Sequence, residues 1–143
     1  MFMISLSYER EKMPLYFLDN QDKLKQQRNI SIAIEPSPAI PHLTVITLKG
    51  SLDLSTSSYV DEKIIPLLET GESDFILDVS ELDYLSSIGM MCLTKYLILL
   101  QKQKRSLKLI KPPKSIYDIM TYFGFAKRFS IYDSVVDAIR SNW

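Results

Sequence analysis

Short apolar segments alternate with amphipathic segments from residue 43 to the end of the chain, and this alternation strongly limits how the chain can fold. The segments with strand character, rich in apolar and β-branched residues, span residues 43–48, 75–79, 107–110 and 129–132. Between them, apolar residues recur at the three- and four-residue spacing of helices. Strands and helices in this order are typical of βαβ units, which join parallel strands of one sheet.

A fifth apolar run, residues 30–34, precedes this region. Pro36, Pro38 and Pro41 follow it and favour a turn, because proline has a fixed φ and no amide donor. We therefore expect this run to pair antiparallel with the strand that begins at Leu43. The prediction is an α/β fold with a four- to five-stranded, mostly parallel mixed sheet flanked by about four helices.

Local signals predict where the helices begin and end. The first should begin in the serine and threonine cluster at residues 55–58, and Pro66 predicts a kinked or irregular last turn. Ser87 is expected to be the N-cap of the next helix, and Asp133 the N-cap of the last one. Gly124 is suited to the left-handed residue that follows a helix end.

The chain has the length of one domain, but its first part differs from the rest. In the polar run 20–29, Leu24 is the only strongly apolar residue. We therefore predict an N-terminal extension over residues 1–29 and a folded domain over residues 30–143. Because the polar run offers few core-facing positions, the domain is expected to fold without it.

Composition excludes several classes of function. Seventeen Lys and Arg balance seventeen Asp and Glu, so the broad attraction for a nucleic-acid backbone is absent. Cys92 and His42 are the only residues of their types, which excludes an internal disulfide and a Cys/His zinc site. We expect no metal and no cofactor.

Two segments are apolar enough to be compared with membrane or targeting sequences. Residues 1–7 lack the basic start of a signal peptide, and the apolar stretch 88–100 is too short to span a bilayer. The expectation is a cytoplasmic protein with no membrane partner.

Two loops carry the polar residues expected to form a site. They follow the second and third strands and span residues 50–55 and 83–89. Because the carboxyl ends of parallel strands meet at one edge of a sheet, these loops should lie together.

The motifs in these loops resemble the STAS domain, and specifically bacterial anti-sigma factor antagonists. They are Gly50-Ser-Leu-Asp53, Tyr84-Leu-Ser-Ser-Ile-Gly89 and the late Tyr122-Phe-Gly-Phe125. The likeness covers about residues 30 to 143. It implies that an anti-sigma factor serine kinase phosphorylates Ser87. The family often has Asp directly before the phosphorylated serine, where this chain has Ser86, and this second hydroxyl makes Ser86 the alternative site.

The resemblance also implies a partner switch. The unphosphorylated protein would bind the kinase and free its sigma factor, and a PPM-type serine phosphatase is a further candidate partner. The chain would be a monomer or weak dimer. The residues expected to contact the kinase are Asp53, Ser55, Asp83, Ser86, Ser87, Gly89 and Met90.

Structural roles compete with each of these assignments. Ser87 would also serve as a simple helix cap, Asp53 as a turn or cap residue, and Gly89 as a small residue packed on the sheet. Cys92 is expected in the core and His42 in an exposed loop. The run 102–105 is expected to be a solvated face.

Two other classes of function compete with the partner switch. Ser87 lies on a predicted strand-to-helix turn, as hydrolase nucleophiles do, but Gly-x-Ser-x-Gly is absent and a triad would have to use His42. The second alternative is a constitutive STAS-type assembly or transporter-associated subunit in which Ser87 is never modified. Phosphate on Ser87 would distinguish this constitutive subunit from the partner switch.

Overall fold

The computed structural model describes residues 29–71, 73–141 and 143. Its strands are β1 (Ile30–Pro36), β2 (Leu43–Leu52), β3 (Asp74–Leu85), β4 (Leu107–Ile110) and β5 (Ser130–Tyr132). Its helices are α1 (Leu54–Thr70), α2 (Ser87–Lys102), α3 (Lys114–Tyr122) and α4 (Val135–Arg140), with a short 3-10 turn at Ala126–Arg128. The predicted extension lies outside the described residues except for Asn29, and it stays a prediction.

The five strands form one sheet in the order β1-β2-β3-β4-β5. β1 pairs antiparallel with β2, so that Ile30 lies opposite Gly50, and the other pairs are parallel. This arrangement confirms the predicted mixed α/β sheet, including the antiparallel first strand.

Side chains on β2 alternate between two hydrophobic cores, one on each face of the sheet. Ile46 and Leu48 belong to the larger core, which also takes buried residues from α1, α2 and α3. Leu43 and Val45 face the smaller core, which takes Ala138 from α4. A fully buried Leu or Ile contributes roughly 1.5–3 kcal/mol, so the larger core dominates the stability of the domain.

The α4 face of the sheet also buries one cation. Lys108 on β4 donates from Nζ to the carbonyl oxygen of Ala138 at 3.0 Å and to the hydroxyl of Ser141. Burial lowers the pKa of this lysine. The two bonds hold the end of α4 against the sheet.

The first helix begins earlier and ends more regularly than the sequence predicts. Asp53 is its N-cap and Leu54 its first residue, whereas the predicted start lies at residues 55–58. The helix also continues through Pro66 to Thr70, which contradicts the expected irregular last turn. Pro66 has no amide hydrogen, so the Glu62 carbonyl lacks its usual helical donor. Both residues lie on the exposed side of the helix, where water can replace the missing bond.

Two further caps differ from the prediction by one residue. Ser86, not Ser87, is the N-cap of α2, and Ser134, not Asp133, is the N-cap of α4. Before α2 the extended backbone ends at Ser86, one residue earlier than predicted, and before α4 it ends at Ser134, one residue later than predicted. Gly124 has a φ of +77°, as expected for a residue just after a helix end.

The expected solvated face at residues 102–105 is only partly correct. Lys102 and Lys104 are exposed, but Arg105 is half-buried. Its guanidinium donates to the carbonyl oxygens of Leu68, at 2.9 Å, and Ser73, at 2.7 Å from Nε. Arg105 therefore ties the end of α1 to the start of β3, a role that charge patterning alone does not reveal.

Asp61 joins α1 to α2, and its loss should destabilise the domain. Its carboxylate accepts the hydroxyl of Tyr96 at 2.5 Å and pairs with Lys95 at 2.5 Å. Tyr96 is only 1% exposed, and burial together with Asp61 raises its pKa. We expect Asp61→Ala to lower the unfolding free energy by about 2 kcal/mol in a urea titration, chiefly because the tyrosine hydroxyl is left unsatisfied.

A double-mutant cycle provides the control for this prediction. In a Tyr96→Phe background there is no hydroxyl to leave unsatisfied, so Asp61→Ala should cost less than about 1 kcal/mol, the usual value of a partly exposed ion pair. Equal costs in the two backgrounds would contradict the role assigned to the Tyr96 hydrogen bond.

Candidate functional site

The ends of β2 and β3 lie side by side and bring the two predicted loops together. Leu52 is the register partner of Leu85, and the Ser86 amide donates to the Leu52 carbonyl at 3.0 Å. An open groove of about 550 Å³ lies between the loops. Its lining residues are Asp53, Leu54, Ser55, Tyr84, Ser86, Ser87 and Ile88.

Asp53 forms one wall of the groove and caps α1. Its Oδ1 accepts from the Ser55 amide at 2.9 Å and the Ser55 hydroxyl at 2.6 Å, and its own amide donates to Thr56 Oγ1 at 3.0 Å. The hydrogen bond from the Ser55 side chain, with the backbone bonds, holds the pKa of the carboxyl below its usual range. Asp53 therefore caps α1, as one of the expected roles, and its carboxylate places a fixed negative charge at the groove.

The two neighbouring serines of the opposite wall are in different environments. Ser86 Oγ accepts from the Gly89 amide at 3.1 Å, as an N-cap does, and the residue is half-buried. Ser87 is the first residue of α2 and is exposed, and its side chain makes no hydrogen bond to the described residues. The capping role expected for Ser87 belongs to Ser86, which leaves the Ser87 hydroxyl accessible.

Two of the residues expected to contact a partner lie inside the fold. A Cβ on Gly89 would stand 2.3 Å from the Leu52 carbonyl oxygen, so only glycine lets α2 approach the end of β2 this closely. Met90 is 1% exposed and packs in the larger core, because α2 turns this side toward the sheet. The expectation that the Met90 side chain contacts a partner is therefore wrong for this conformation.

Asp83 lies apart from the groove lining. It is exposed on β3, one residue before Tyr84, and adds a second carboxylate beside the site. Asp53, Ser55, Ser86 and Ser87 are thus the predicted residues that the fold brings together around the groove.

Sequence reasoning missed the apolar character of this surface. Leu54 is 73% exposed and Tyr84 53% exposed, and both line the groove. Met91, 65% exposed, lies four residues after Ser87 and so on the same side of α2. Helical spacing from Ser87 could have identified Met91, but Leu54 and Tyr84 give no such signal, because apolar residues beside strand ends are usually buried.

The remaining sequence candidates lie away from the groove. Cys92 is buried in the larger core, as expected, and burial raises the pKa of its thiol. His42 is exposed just before β2, with a φ of 60°. Residues 29–71, 73–141 and 143 contain no group of three or more His, Cys, Asp or Glu that could hold a metal ion.

Among the helices of these described segments, none combines the length and the apolar character that crossing a bilayer requires.

Solved structures of known proteins share this fold. An anti-sigma factor antagonist from Mycobacterium paratuberculosis is similar with a TM-score of 0.67 and 19% identity, over 77% of this chain and 91% of that one. The Bacillus cell fate determinant SpoIIAA in its phosphorylated form matches with a TM-score of 0.60 and 18% identity, over 76% and 96% of the two chains.

A membrane protein contains a similar fold as one part of its chain. The murine Slc26a9 anion transporter matches with a TM-score of 0.65 and 18% identity, over 85% of this chain but 23% of the transporter. At these identities each likeness establishes the fold alone. No curated protein sequence matches this chain. The family model of the STAS domain matches residues 32–138, three quarters of the chain, and the chain therefore belongs to the STAS domain family.

Proposed function

We propose that this protein is an anti-sigma factor antagonist whose binding to an anti-sigma serine kinase is controlled by phosphorylation of Ser87. The observation that carries the proposal is the difference between the two adjacent serines. Ser86 already uses its oxygen to cap α2, whereas Ser87 is exposed beside it and has no hydrogen bond to the described residues. A kinase could reach the Ser87 hydroxyl without breaking the helix cap.

The position of Ser87 suits a phosphate. The first turn of a helix presents unpaired backbone amides and a partial positive charge, both of which stabilise an added anion. A phosphate adds about −1.5 to −2 charges at neutral pH. The modified protein is therefore expected to keep its fold, as a switch requires.

The surroundings of Ser87 suit a protein partner. Leu54, Tyr84 and Met91 expose apolar area around a few polar groups, the combination found at the centres of many interfaces. We propose that the kinase contacts these three residues together with Asp53, Ser55, Ser86 and Ser87, with Asp83 at the margin. Met91 takes the place of the buried Met90 in this surface.

A hydrolase is a poor explanation of the same groove. His42, the single histidine of the sequence, precedes the first residue of β2, whereas Ser87 follows the opposite end of the neighbouring strand. Ten residues of β2 place these ends about 30 Å apart at roughly 3.3 Å per residue. A Ser-His pair therefore cannot form, and we propose a binding protein without catalytic activity.

Phosphate transfer in vitro tests the proposal. The anti-sigma-type serine kinases encoded beside this protein's gene or elsewhere in its genome would be purified and incubated with it and ATP. We expect the wild-type protein and Ser86→Ala to gain one phosphate in mass spectrometry, and Ser87→Ala to gain none. The reverse pattern in the two variants would assign the modified hydroxyl to Ser86.

The constitutive alternative makes the opposite prediction. An assembly or transporter-associated module, suggested by the similar fold within the Slc26a9 transporter, would need no phosphate on either serine. Protein purified from its own cells would then carry phosphate on neither residue in growth or stress. That result, with no transfer by any kinase tested, would replace the partner switch by this alternative.

A further inference from the structure

We propose that the outer edge of β1 is an interaction surface on which a second copy of this chain docks, strand against antiparallel strand. The two five-stranded sheets would then continue as one sheet across the contact. The proposal goes beyond the proposed function, since neither a kinase nor a phosphate takes part in it. The groove that holds Ser87 lies at the ends of β2 and β3, so the contact leaves Ser87 accessible in both copies.

The outer edge of β1 presents backbone groups that can bind a further strand. β1 is the last strand on one side of the sheet, and within the described residues no strand pairs with its outer edge. Antiparallel strands exchange hydrogen bonds at every second residue pair. The Asn29 carbonyl accepts from the Ser51 amide at 2.6 Å, so the odd-numbered residues of β1 bond to β2. The amides and carbonyls of Ile30, Ile32 and Ile34 therefore point outward.

β1 lacks the features that keep sheet edges from pairing. Such edges are usually very short, or they carry a lysine, an internal proline or a bulge. β1 has seven residues and pairs with β2 in one continuous register, so it contains no bulge. Its charged residue, Glu35, and its proline, Pro36, are the last two residues of the strand. The opposite edge of the sheet is different, because β5 has only three residues.

The strand is complementary to itself when a two-fold axis passes beside Ile32. Ile32 then pairs with Ile32 of the second copy, and Ile30 pairs with Ile34, so that about six backbone hydrogen bonds form. Pairs of β-branched side chains suit neighbouring strands. On the other face of the sheet, Ser31 of one copy meets Ala33 of the other. These small side chains fit the close spacing of a non-hydrogen-bonded pair, about 4.5 Å between Cα atoms.

Charge and size favour a second copy as the occupant and predict a weak contact. In this register the Glu35 carboxylate lies opposite Asn29 of the other copy, so no two like charges meet across the strands. Ile34, which is 40% exposed, would be covered. Seven residues extend only about 23 Å, which places the contact below the roughly 1,200 Å² of a standard interface. We therefore expect monomers at about 10 μM and dimers at about 500 μM, as for other small interfaces.

Disulfide trapping between two full-length variants tests the contact and its register. In a Cys92→Ala background, Ser31→Cys protein is mixed with Ala33→Cys protein, because these two positions face each other. Each position lies about 7–8 Å from its own copy, too far for an unstrained disulfide. Under mild oxidation the mixed disulfide should therefore form about tenfold faster than either variant's disulfide with itself. Intact mass spectrometry separates the three products.

The matched control mixes Ala33→Cys with Ser130→Cys, which is exposed on the opposite edge of the sheet. Its disulfide should form about tenfold more slowly than the mixed disulfide of Ser31→Cys and Ala33→Cys. Equal rates in the two mixtures, or faster closure with Ser130→Cys, would overturn the proposal. A self-disulfide of Ser31→Cys or Ala33→Cys that forms as fast as the mixed one would overturn the register.

Sedimentation equilibrium of proteins without new cysteines provides the second arm of the test. Ile34→Pro removes an outward amide but no hydrogen bond to β2, and proline is tolerated at such edge positions. Ile34→Thr keeps both the amide and the β-branched shape. We expect Ile34→Thr to dimerise at a concentration within about threefold of the wild type, whereas Ile34→Pro should need at least about tenfold more protein. A wild-type protein that stays monomeric at about 500 μM, or a folded Ile34→Pro protein that dimerises as the wild type does, would overturn the proposal.

Discussion

Replacing Ser87 with aspartate is expected to abolish binding of the anti-sigma kinase while the melting temperature stays close to that of the wild type. The fold should survive because the carboxylate would stand in the first turn of α2, where negative charge is favourable by about 0.3–1 kcal/mol. The interface should not survive, because Asp53 already places a fixed carboxylate on the other wall of the groove.

The size of this effect follows from desolvation. Burying an unpaired charge against a partner shaped for a neutral hydroxyl costs about 3 kcal/mol or more, which is about a hundredfold or more in affinity. Calorimetric titration with the purified kinase measures it. Asparagine has nearly the same shape as aspartate but carries no charge. Ser87→Asn should therefore bind the kinase with an affinity within about tenfold of the wild type.

Aspartate at the neighbouring position discriminates the two serines. Aspartate is a good N-cap, so Ser86→Asp should also fold normally. If Ser87→Asp bound the kinase as tightly as wild type while Ser86→Asp did not, the switch would belong to Ser86. If neither substitution weakened binding, the protein would not be a phosphorylation-gated antagonist.

The positions of the strands were predictable because apolar periodicity reports burial directly. The β-branched run at residues 43–48 corresponds to the first six residues of β2, and the proline-rich turn before it predicts the antiparallel β1. β3 was predicted too short, at residues 75–79. Its second half carries the exposed residues Glu81, Asp83 and Tyr84 between buried leucines, and this breaks the continuous apolar run expected of a central strand.

The difference between Ser86 and Ser87 could not be predicted, because both hydroxyls are equally able to cap a helix. A contact with another strand decides between them. The Ser86 amide bonds to the Leu52 carbonyl, which holds Ser86 in an extended conformation and makes Ser87 the first helical residue. Motif spacing indicated which two loops carry the candidate site, but only the pairing of β2 with β3 determines which hydroxyl is free.

Gly89→Ala is expected to lower the melting temperature by roughly 7 °C. The new Cβ would stand 2.3 Å from the Leu52 carbonyl oxygen and 2.8 Å from Leu85 Cδ1, where ordinary contacts begin near 3.4 Å. The first of these is a backbone atom at the end of a paired strand, so relief requires α2 to move. Overpacking of this kind costs about 3 kcal/mol, and the gain of about 1 kcal/mol in helix propensity offsets only part of it.

Gly124→Ala is the matched control, because a Cβ there would meet nothing within 4 Å and only the φ of +77° would be strained. Its cost should be about 1–2 kcal/mol, without any effect on kinase binding.

Gly89→Ala should in addition weaken binding at temperatures where it is fully folded, since moving the start of α2 away from Leu52 displaces Ser87 from the groove wall. A Gly89→Ala protein that melts no lower than Gly124→Ala would show that α2 does not depend on this close approach. Loss of binding by Gly124→Ala would place the interface at the end of α3 instead.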